Sequence, residues 1–427
     1  MSASAPRVIV VGAGIAGAAA ALAAARSGGA VTLVDGGPGA TTLATGALDR
    51  TPWRADDTAA PPLPAAARDV LEALGAYVLT PRAVTLFTTA GVRRPSRGRD
   101  AALFDAAPVA DRPVGVVRCL RPGWDADALA RCWGGARGAC VAVDATVLRH
   151  RDERALPDAD FAARHDEEGR LEWLAGRLRE ALATGSGGEA LAGLVLPPSL
   201  GVDRARAWEL SQRVGLPCGE ALSLPGGPSG LRFERARDRA LSTAGIERVR
   251  ARARKVERLE NGPGRSDVAI WRVILGGDSS LDAEAVVLAT GGLLGGGLEY
   301  APSEAILAAA LPPHASAPFR ASLEAPLRLG AHGRPLEVPG SLFGLAPEQI
   351  AWPFSADALL ARAGVLVGDD GRCAGSPPGL FAAGEIVADA SRTWLRALID
   401  GANAGVLAAS VRTSGGASPA RGPASPP

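Results

Sequence analysis

Hydrophobic and polar positions fall into three strongly patterned regions separated by stretches of mixed character. The first opens on the apolar run "VIVV" (residues 8–11) and the turn "GAGIAG". The alanine-rich "AAAALAAA" follows, and then a second apolar run, "AVTLV", that ends on Asp35. Short apolar runs bounded by glycine predict buried strands, and the alanine-rich stretch between them predicts a helix. The second region is "DAEAVVLATGG" (residues 282–292), a buried strand running into glycines. The third comprises "AGVLVGDDGR" (363–372) and "GLFAAGEIV" (379–387), followed by a helix over 393–412. Between the first two regions lies a long insertion. There Leu171, Leu174, Leu178 and Leu182 stand at helical spacing and predict an amphipathic helix over Glu168–Thr184. A second helix is expected over 202–214, ahead of the proline- and glycine-rich "LPGGPSGLRFERARDRAL" (224–241).

The pattern predicts an α/β protein: a Rossmann-like domain assembled from separated segments, with an inserted α+β cap or substrate domain. Residues 1–60, 231–300 and 361–412 form its nucleotide-binding pieces. Residues 61–230 form the insertion, 301–360 a cap-like second insertion, and 413–427 a tail of disordered composition. The length of 427 residues suits one split domain or two domains. A hydrophobic fraction of 47% with 21% charged residues is that of a soluble globular protein.

A net charge of +1 argues against a nucleic-acid partner. The basic run "RVRARARKVER" (248–258) has apolar residues that mostly alternate, so it reads as a solvated strand face. Cys119, Cys132, Cys140, Cys218 and Cys373 contain no CxxC pair, so no zinc or iron–sulfur site is expected in this chain. An odd cysteine count without a signal peptide suits the cytoplasm. No apolar run is long enough to span a bilayer, so membrane attachment would be peripheral or through a partner.

The chemistry begins in "GAGIAG". Gly12 permits a tight turn, Gly14 lets the backbone approach a pyrophosphate, and Gly17 lets helix and strand pack closely; Ala13, Ile15 and Ala16 supply the backbone between them. The helix N-terminus favours the phosphates. Asp35 lies 18 residues past Gly17, where a carboxylate can accept from both hydroxyls of a ribose. Gly36 then opens the loop "GGPGATTLATGALD" (36–49), with Thr41, Thr42, Thr45 and Gly46 as expected contacts. Nicotinamide-binding Rossmann domains need no such loop here, whereas many FAD enzymes use one to cover the pyrophosphate. "AVVLATGG" resembles the short ATG strand of flavoproteins, with Thr290, Gly291 and Gly292 passing near the cofactor. "GLFAAGEIV" resembles their late flavin motif, in which Gly384 precedes an acid, here Glu385, that accepts from a ribityl hydroxyl. "GGLLGGGLEY" (291–300) follows the ATG strand and is succeeded by no acid-terminated strand, so a single dinucleotide site is inferred. Asp35 would hold the AMP ribose, which FMN lacks, so FAD is expected before FMN.

The chain resembles FAD-dependent oxidoreductases of the succinate dehydrogenase/fumarate reductase flavoprotein type. Within that group it is similar to the B subunits of anaerobic glycerol-3-phosphate dehydrogenases. The likeness lies in "LAGLVLPPSLGVDRARAWELSQRVGLPCGEALSLPGGPSGLRFERARDRAL" (191–241), "VLATGGLLGGGLEY" (287–300) and "ATTLATGALD" (40–49). It implies oxidation of sn-glycerol 3-phosphate to dihydroxyacetone phosphate with electrons passing to quinone. It also implies a larger FAD subunit and an iron–sulfur membrane-anchor subunit as partners, on the inner face of the cell membrane. Members of the family are often described with FMN, which stands against the Asp35 argument. The chain departs from the family near its end, where Gly401 and Gly405 remain but Arg392, Trp394 and Arg396 replace small residues.

Oxidising an alcohol at a flavin requires a base for the hydroxyl proton, and a phosphate-bearing substrate requires a cation. The four histidines are His150, His165, His314 and His332, of which His314 and His332 lie between the flavin motifs. The candidate catalytic set is Arg396, Arg392 and His314. In the resembled superfamily the last helix points its N-terminus at the flavin pyrimidine, so both arginines are candidates for a substrate anion or the reduced flavin. Three functions stay open: such a subunit, a stand-alone flavoenzyme for another small molecule, and a non-catalytic flavin-binding electron-transfer subunit.

Overall fold

Strands far apart in the sequence meet in a five-stranded parallel sheet. The computed structural model describes residues 5–49, 62–109, 112–134, 140–184, 190–259, 270–277, 279–300, 319–331, 334–335 and 361–411. At the centre is β1 (Arg7–Val11), whose Val8–Val11 are at most 4% exposed. On one side it pairs with β2 (Ala30–Asp35), which pairs in turn with Glu247–Arg250. On the other side it pairs with Ala285–Leu288, which pairs with Leu380–Ala382. Val286 and Val287 are fully buried, as a parallel sheet covered on both faces requires.

Helix α1 (Ile15–Arg26) joins β1 to β2 and buries ten of its twelve residues. Its alanines are good helix formers and short enough for close packing. The final helix, Trp394–Ala409, uses that closeness: a Cβ on Gly401 would lie 2.1 Å from the Ala16 carbonyl oxygen, and one on Gly405 2.2 Å from that of Ala20. Beside the sheet stands an antiparallel meander of Ala253–Leu259, Ile270–Leu275 and Ser280–Ala283. Trp271, Val273 and Leu275 alternate inward, and the Trp271 indole N–H donates to the Pro378 carbonyl at 3.0 Å.

The basic run 248–258 is divided between two sheets: Arg248 and Arg250 edge the parallel one, and Lys255 lies in the meander. Lys255 pairs with Glu257 at 3.0 Å and Glu324 at 3.3 Å.

By its contacts the chain divides into two compact units. The nucleotide unit comprises Met1–Gly37, Ala244–Ala390 and Leu398–Pro427; the second comprises Pro38–Thr243 and Ser391–Ala397. The second unit has its own four-stranded parallel sheet, in the order Cys140–Val143, Val114–Val117, Gly193–Leu196, Cys218–Glu220. The predicted helix Glu168–Thr184 is present and buries Leu171, Leu174 and Leu178 completely, with Leu182 packed at the edge of that core. The helix expected over 202–214 spans Ala207–Val214. Asp166 holds the N–H groups of Val202 and Asp203 at 3.0 and 3.1 Å, so tertiary hydrogen bonds replace the first helical turn. A second sheet of this unit is antiparallel, in the order Ala47–Leu48, Arg93–Asp100, Tyr77–Phe87. The insertion therefore combines a parallel α/β layer with an antiparallel one.

Candidate flavin-binding site

In the nucleotide unit, chain geometry dictates the glycine turn after β1. Gly12 adopts φ +109°, and a Cβ there would fall 2.2 Å from the carbonyl oxygen of Ala289. A Cβ on Gly17 would lie 1.8 Å from the Gly12 carbonyl oxygen. Only glycine fits either place. Gly14 is the N-cap of α1, where no side chain caps the helix and no acid occupies its first turn. With Ala13, Ile15 and Ala16 this builds the backbone-lined helix start that suits an anion.

Asp35 ends β2 and is 8% exposed. Its Oδ1 accepts the N–H of Gly37 at 2.9 Å, and its Oδ2 accepts Nε of Arg248 at 2.8 Å. Gly36 carries the chain onward, while the N–H of Ala251 donates to the Asp35 carbonyl at 3.1 Å.

The two later motifs meet at the carboxyl ends of the neighbouring strands. The N–H of Ala289 donates to the Val11 carbonyl at 2.8 Å and that of Ala383 to the Leu288 carbonyl at 2.9 Å, which extends the sheet by one bond on each strand. Gly291 (φ +82°) then turns the chain, and a Cβ on Gly297 would reach 1.9 Å from the Gly291 oxygen and 2.6 Å from Thr290 Oγ1. Gly292 lies against Glu385, since its Cβ would fall 2.9 Å from the Glu385 carbonyl oxygen. Gly384 (φ +77°) begins the short 3-10 turn Gly384–Ile386. Thus Gly12, Ala13, Gly14, Ile15, Ala16, Gly17, Asp35, Gly36, Thr290, Gly291, Gly292, Gly384 and Glu385 belong to one unit, most of them at the carboxyl ends of the strands of one sheet.

The other predicted residues that the structure describes belong to the second unit. Thr41 and Thr42 lie in the 3-10 turn Ala40–Leu43, where Thr42 Oγ1 donates to the Gly39 carbonyl at 2.8 Å. Gly230 of the helix Pro228–Thr243 packs on that turn, because a Cβ there would be 1.9 Å from the Thr42 oxygen. Thr45 is half-buried; Gly46 (φ +98°) has Ser229 Oγ at 2.6 Å and Asp100 Cβ at 2.9 Å from where its Cβ would stand. Arg392 is half-buried and Arg396 exposed. Between them Trp394 sets its ring 4.5 Å from Tyr77 and 6.4 Å from Phe233, with a buried indole N–H that has no hydrogen-bond partner among the described residues. His314 and His332 lie outside the described residues.

Sequence reading did not single out the charged centre of the second unit. Arg232 is 1% exposed; its Nε donates to Asp100 Oδ2 at 2.8 Å and its Nη2 to Glu220 Oε2 at 2.7 Å. Burial disfavours the Arg232 cation, but Asp100 and Glu220 outweigh that and raise its pKa. Burial also raises Glu220, against the pull of Arg232. The hydroxyl of nearby Tyr77 is pushed well above its ordinary value by loss of water and by Asp100. The one signal for this triad was the "GLR" within the family-like stretch 191–241. Burial pushes Cys119, Cys218 and Cys373 up to about 12, so these thiols are poor nucleophiles at neutral pH. Among the described residues no group of three or more His, Cys, Asp or Glu is placed to hold a metal ion, and no helix is long and apolar enough to cross a membrane.

Comparison with known proteins matches residues 7–52 to the family "Glucose inhibited division protein A". No curated protein sequence matches the chain. Among solved structures, 3-ketosteroid delta1-dehydrogenase from Sterolibacterium denitrificans is similar at 12% identity, covering 96% of this chain and 100% of that one, with a TM-score of 0.37. Mycobacterium smegmatis Sdh1 in complex with UQ1 is similar at 14% identity over 96% of this chain and 69% of that one, with a TM-score of 0.33. FqzB is similar at 11% identity and a TM-score of 0.25; the match covers 69% of this chain and 37% of FqzB, so the chain spans less than half of that protein's length. Likenesses so remote do not identify a substrate. The turn at Gly12, the helix start at Gly14, the acid at Asp35 and the later glycines against Glu385 fit a dinucleotide with an AMP ribose and a ribityl chain. The residues present fit FAD, and the nucleotide unit has a Rossmann-like α/β fold.

Proposed function

We propose that this chain is a flavin-dependent oxidoreductase subunit that takes electrons from sn-glycerol 3-phosphate and passes them towards quinone. The observation that carries the redox reading is the meeting of Gly292 with Glu385 at the carboxyl end of the sheet, where β1 delivers Gly12. In this reading Gly12, Gly14 and Gly17 give the pyrophosphate a backbone cradle and Asp35 accepts from the AMP ribose. Gly291, Gly292 and Gly384 keep the flavin's path clear of side chains, Thr290 passes beside it, and Glu385 accepts from the ribityl chain. Thr41, Thr42, Thr45 and Gly46 are proposed cover for the pyrophosphate. FAD supplies a two-electron acceptor for the hydride lost from the alcohol carbon. The hydroxyl proton needs a base, for which His314 is the candidate, and Arg392 and Arg396 are candidates for the substrate phosphate. The glycerol 3-phosphate specificity, the larger FAD subunit, the iron–sulfur anchor and a place at the membrane surface rest on the resemblance in residues 191–241.

A second reading is a stand-alone flavoenzyme with a different small substrate. What favours it is Trp394, which packs between Tyr77 and Phe233 where the resembled family has small residues. One experiment separates the two. Flavin is released from the purified chain and identified, and anaerobic bleaching is followed with polyol phosphates and hydroxy acids. FAD with bleaching by glycerol 3-phosphate alone supports the first reading. FAD with bleaching by another compound supports the second, and FMN alone overturns the adenosine role of Asp35.

A further inference from the structure

The carboxylate that ends β2 is already engaged. Besides the Gly37 N–H on Oδ1, Asp35 accepts on Oδ2 both Nε and Nη2 of Arg248. Arg248 comes from Glu247–Arg250, the strand parallel to β2, in the register that sets Arg248 beside Leu33 and Arg250 beside Asp35. The pair joins residues 213 apart in sequence, both in the nucleotide unit. An ionised carboxylate offers about four acceptor positions, two on each oxygen, and Arg248 takes both of those on Oδ2. A ribose diol that takes one position on each oxygen therefore requires at least one Arg248 N–H to leave Oδ2.

We propose that Arg248 is a latch on the ribose acid: it holds Asp35 in the flavin-free chain, and FAD binds by displacing it from Oδ2. The inference rests on the FAD reading of this site and adds the residue that sets affinity at its adenosine end. Arg248 is a positioning residue, since it reaches the cofactor through Asp35. With the Arg248 side chain 23% exposed, the pair has the modest strength of a part-exposed ion pair. Removing the guanidinium removes a competitor for Oδ2, and the expected gain in FAD affinity is about three- to tenfold. A role in attracting the FAD phosphates would predict the opposite sign.

The test uses the full chain freed of flavin and titrated with FAD, following flavin fluorescence, at about 20 mM and about 500 mM KCl, where screening differs severalfold. Arg248→Gln is expected to bind FAD more tightly than wild type at low salt, with the gap closing at high salt. Asp35→Asn is expected to bind more weakly, and adding Arg248→Gln to it should bring no gain. Melting provides a second readout: Arg248→Gln should lower the midpoint of the flavin-free chain and leave the FAD-saturated midpoint unchanged. Equal or weaker FAD binding by Arg248→Gln, or equal lowering of both midpoints, overturns the latch while the FAD reading stands. A wild-type chain that does not bind FAD overturns both.

Discussion

His165 illustrates what burial does to a single side chain. It is fully buried, its Nδ1 lies 3.2 Å from the Phe161 carbonyl, and burial, with Arg170 adding to it, lowers its pKa to about 3. The unfolded chain binds a proton at His165 near pH 6.5, whereas the folded chain resists until about pH 3. Its contribution to stability is therefore complete above pH 6.5 and is lost as pH falls towards 3. Between pH 7 and 5 the loss amounts to roughly 2 kcal/mol. Urea midpoints for His165→Gln should accordingly fall less between those two pH values than wild-type midpoints do. A parallel fall in the two proteins would show that His165 is not the group responsible. At this scale the glycines were the most legible residues, because a turn that only glycine can make leaves a direct mark on the sequence. Gly12 and Gly17 are examples. Arg248 was legible only as one more residue of a basic strand. Its partner, Asp35, is set by the neighbouring strand and not by local pattern.

Among the elements, helix packing turns on where a glycine sits. Gly405 is where the final helix meets α1, and any side chain there runs into the Ala20 carbonyl. Gly176, inside the helix Glu168–Thr184, has nothing among the described residues within 4 Å of where its Cβ would stand. The same change should thus have opposite signs. Gly405→Ala is expected to destabilise by about 1–3 kcal/mol through overpacking, and Gly176→Ala to stabilise by roughly 0.5–1 kcal/mol through helix propensity. Thermal melting of the two variants checks both signs together. Helix Glu168–Thr184 was readable to its ends because its leucines repeat at helical spacing. The helix at Ala207–Val214 starts later than its pattern predicts because Asp166, from another segment, captures the preceding amides. The second parallel sheet leaves no local signature: "VGVV" and "GLVL" are four-residue runs whose partners lie dozens of residues away.

For the whole molecule, the FAD reading makes the flavin part of the stability. A ligand held at about 100 times its dissociation constant adds roughly 2.7 kcal/mol to a fold that alone can bind it. Removing FAD should lower the thermal midpoint, and adding it back should restore it. FMN, lacking the adenosine that Asp35 is placed to hold, should restore less; full restoration by FMN would assign the site to the smaller flavin. By itself the sequence determined the strand–turn–helix–strand unit, its glycine turn, the acid at Asp35 and the identity of the two later motifs. Each depends on steric and hydrogen-bonding preferences of a few neighbouring residues. Only the tertiary structure decided that Gly292 rests on Glu385, that Arg248 engages Asp35, and that Arg232 is buried between Asp100 and Glu220. Apart from Arg232 and Glu220, which are 12 positions apart, those pairings join residues about 10² positions apart, and they form because burying whole strands and helices outweighs the entropy of closing such long loops.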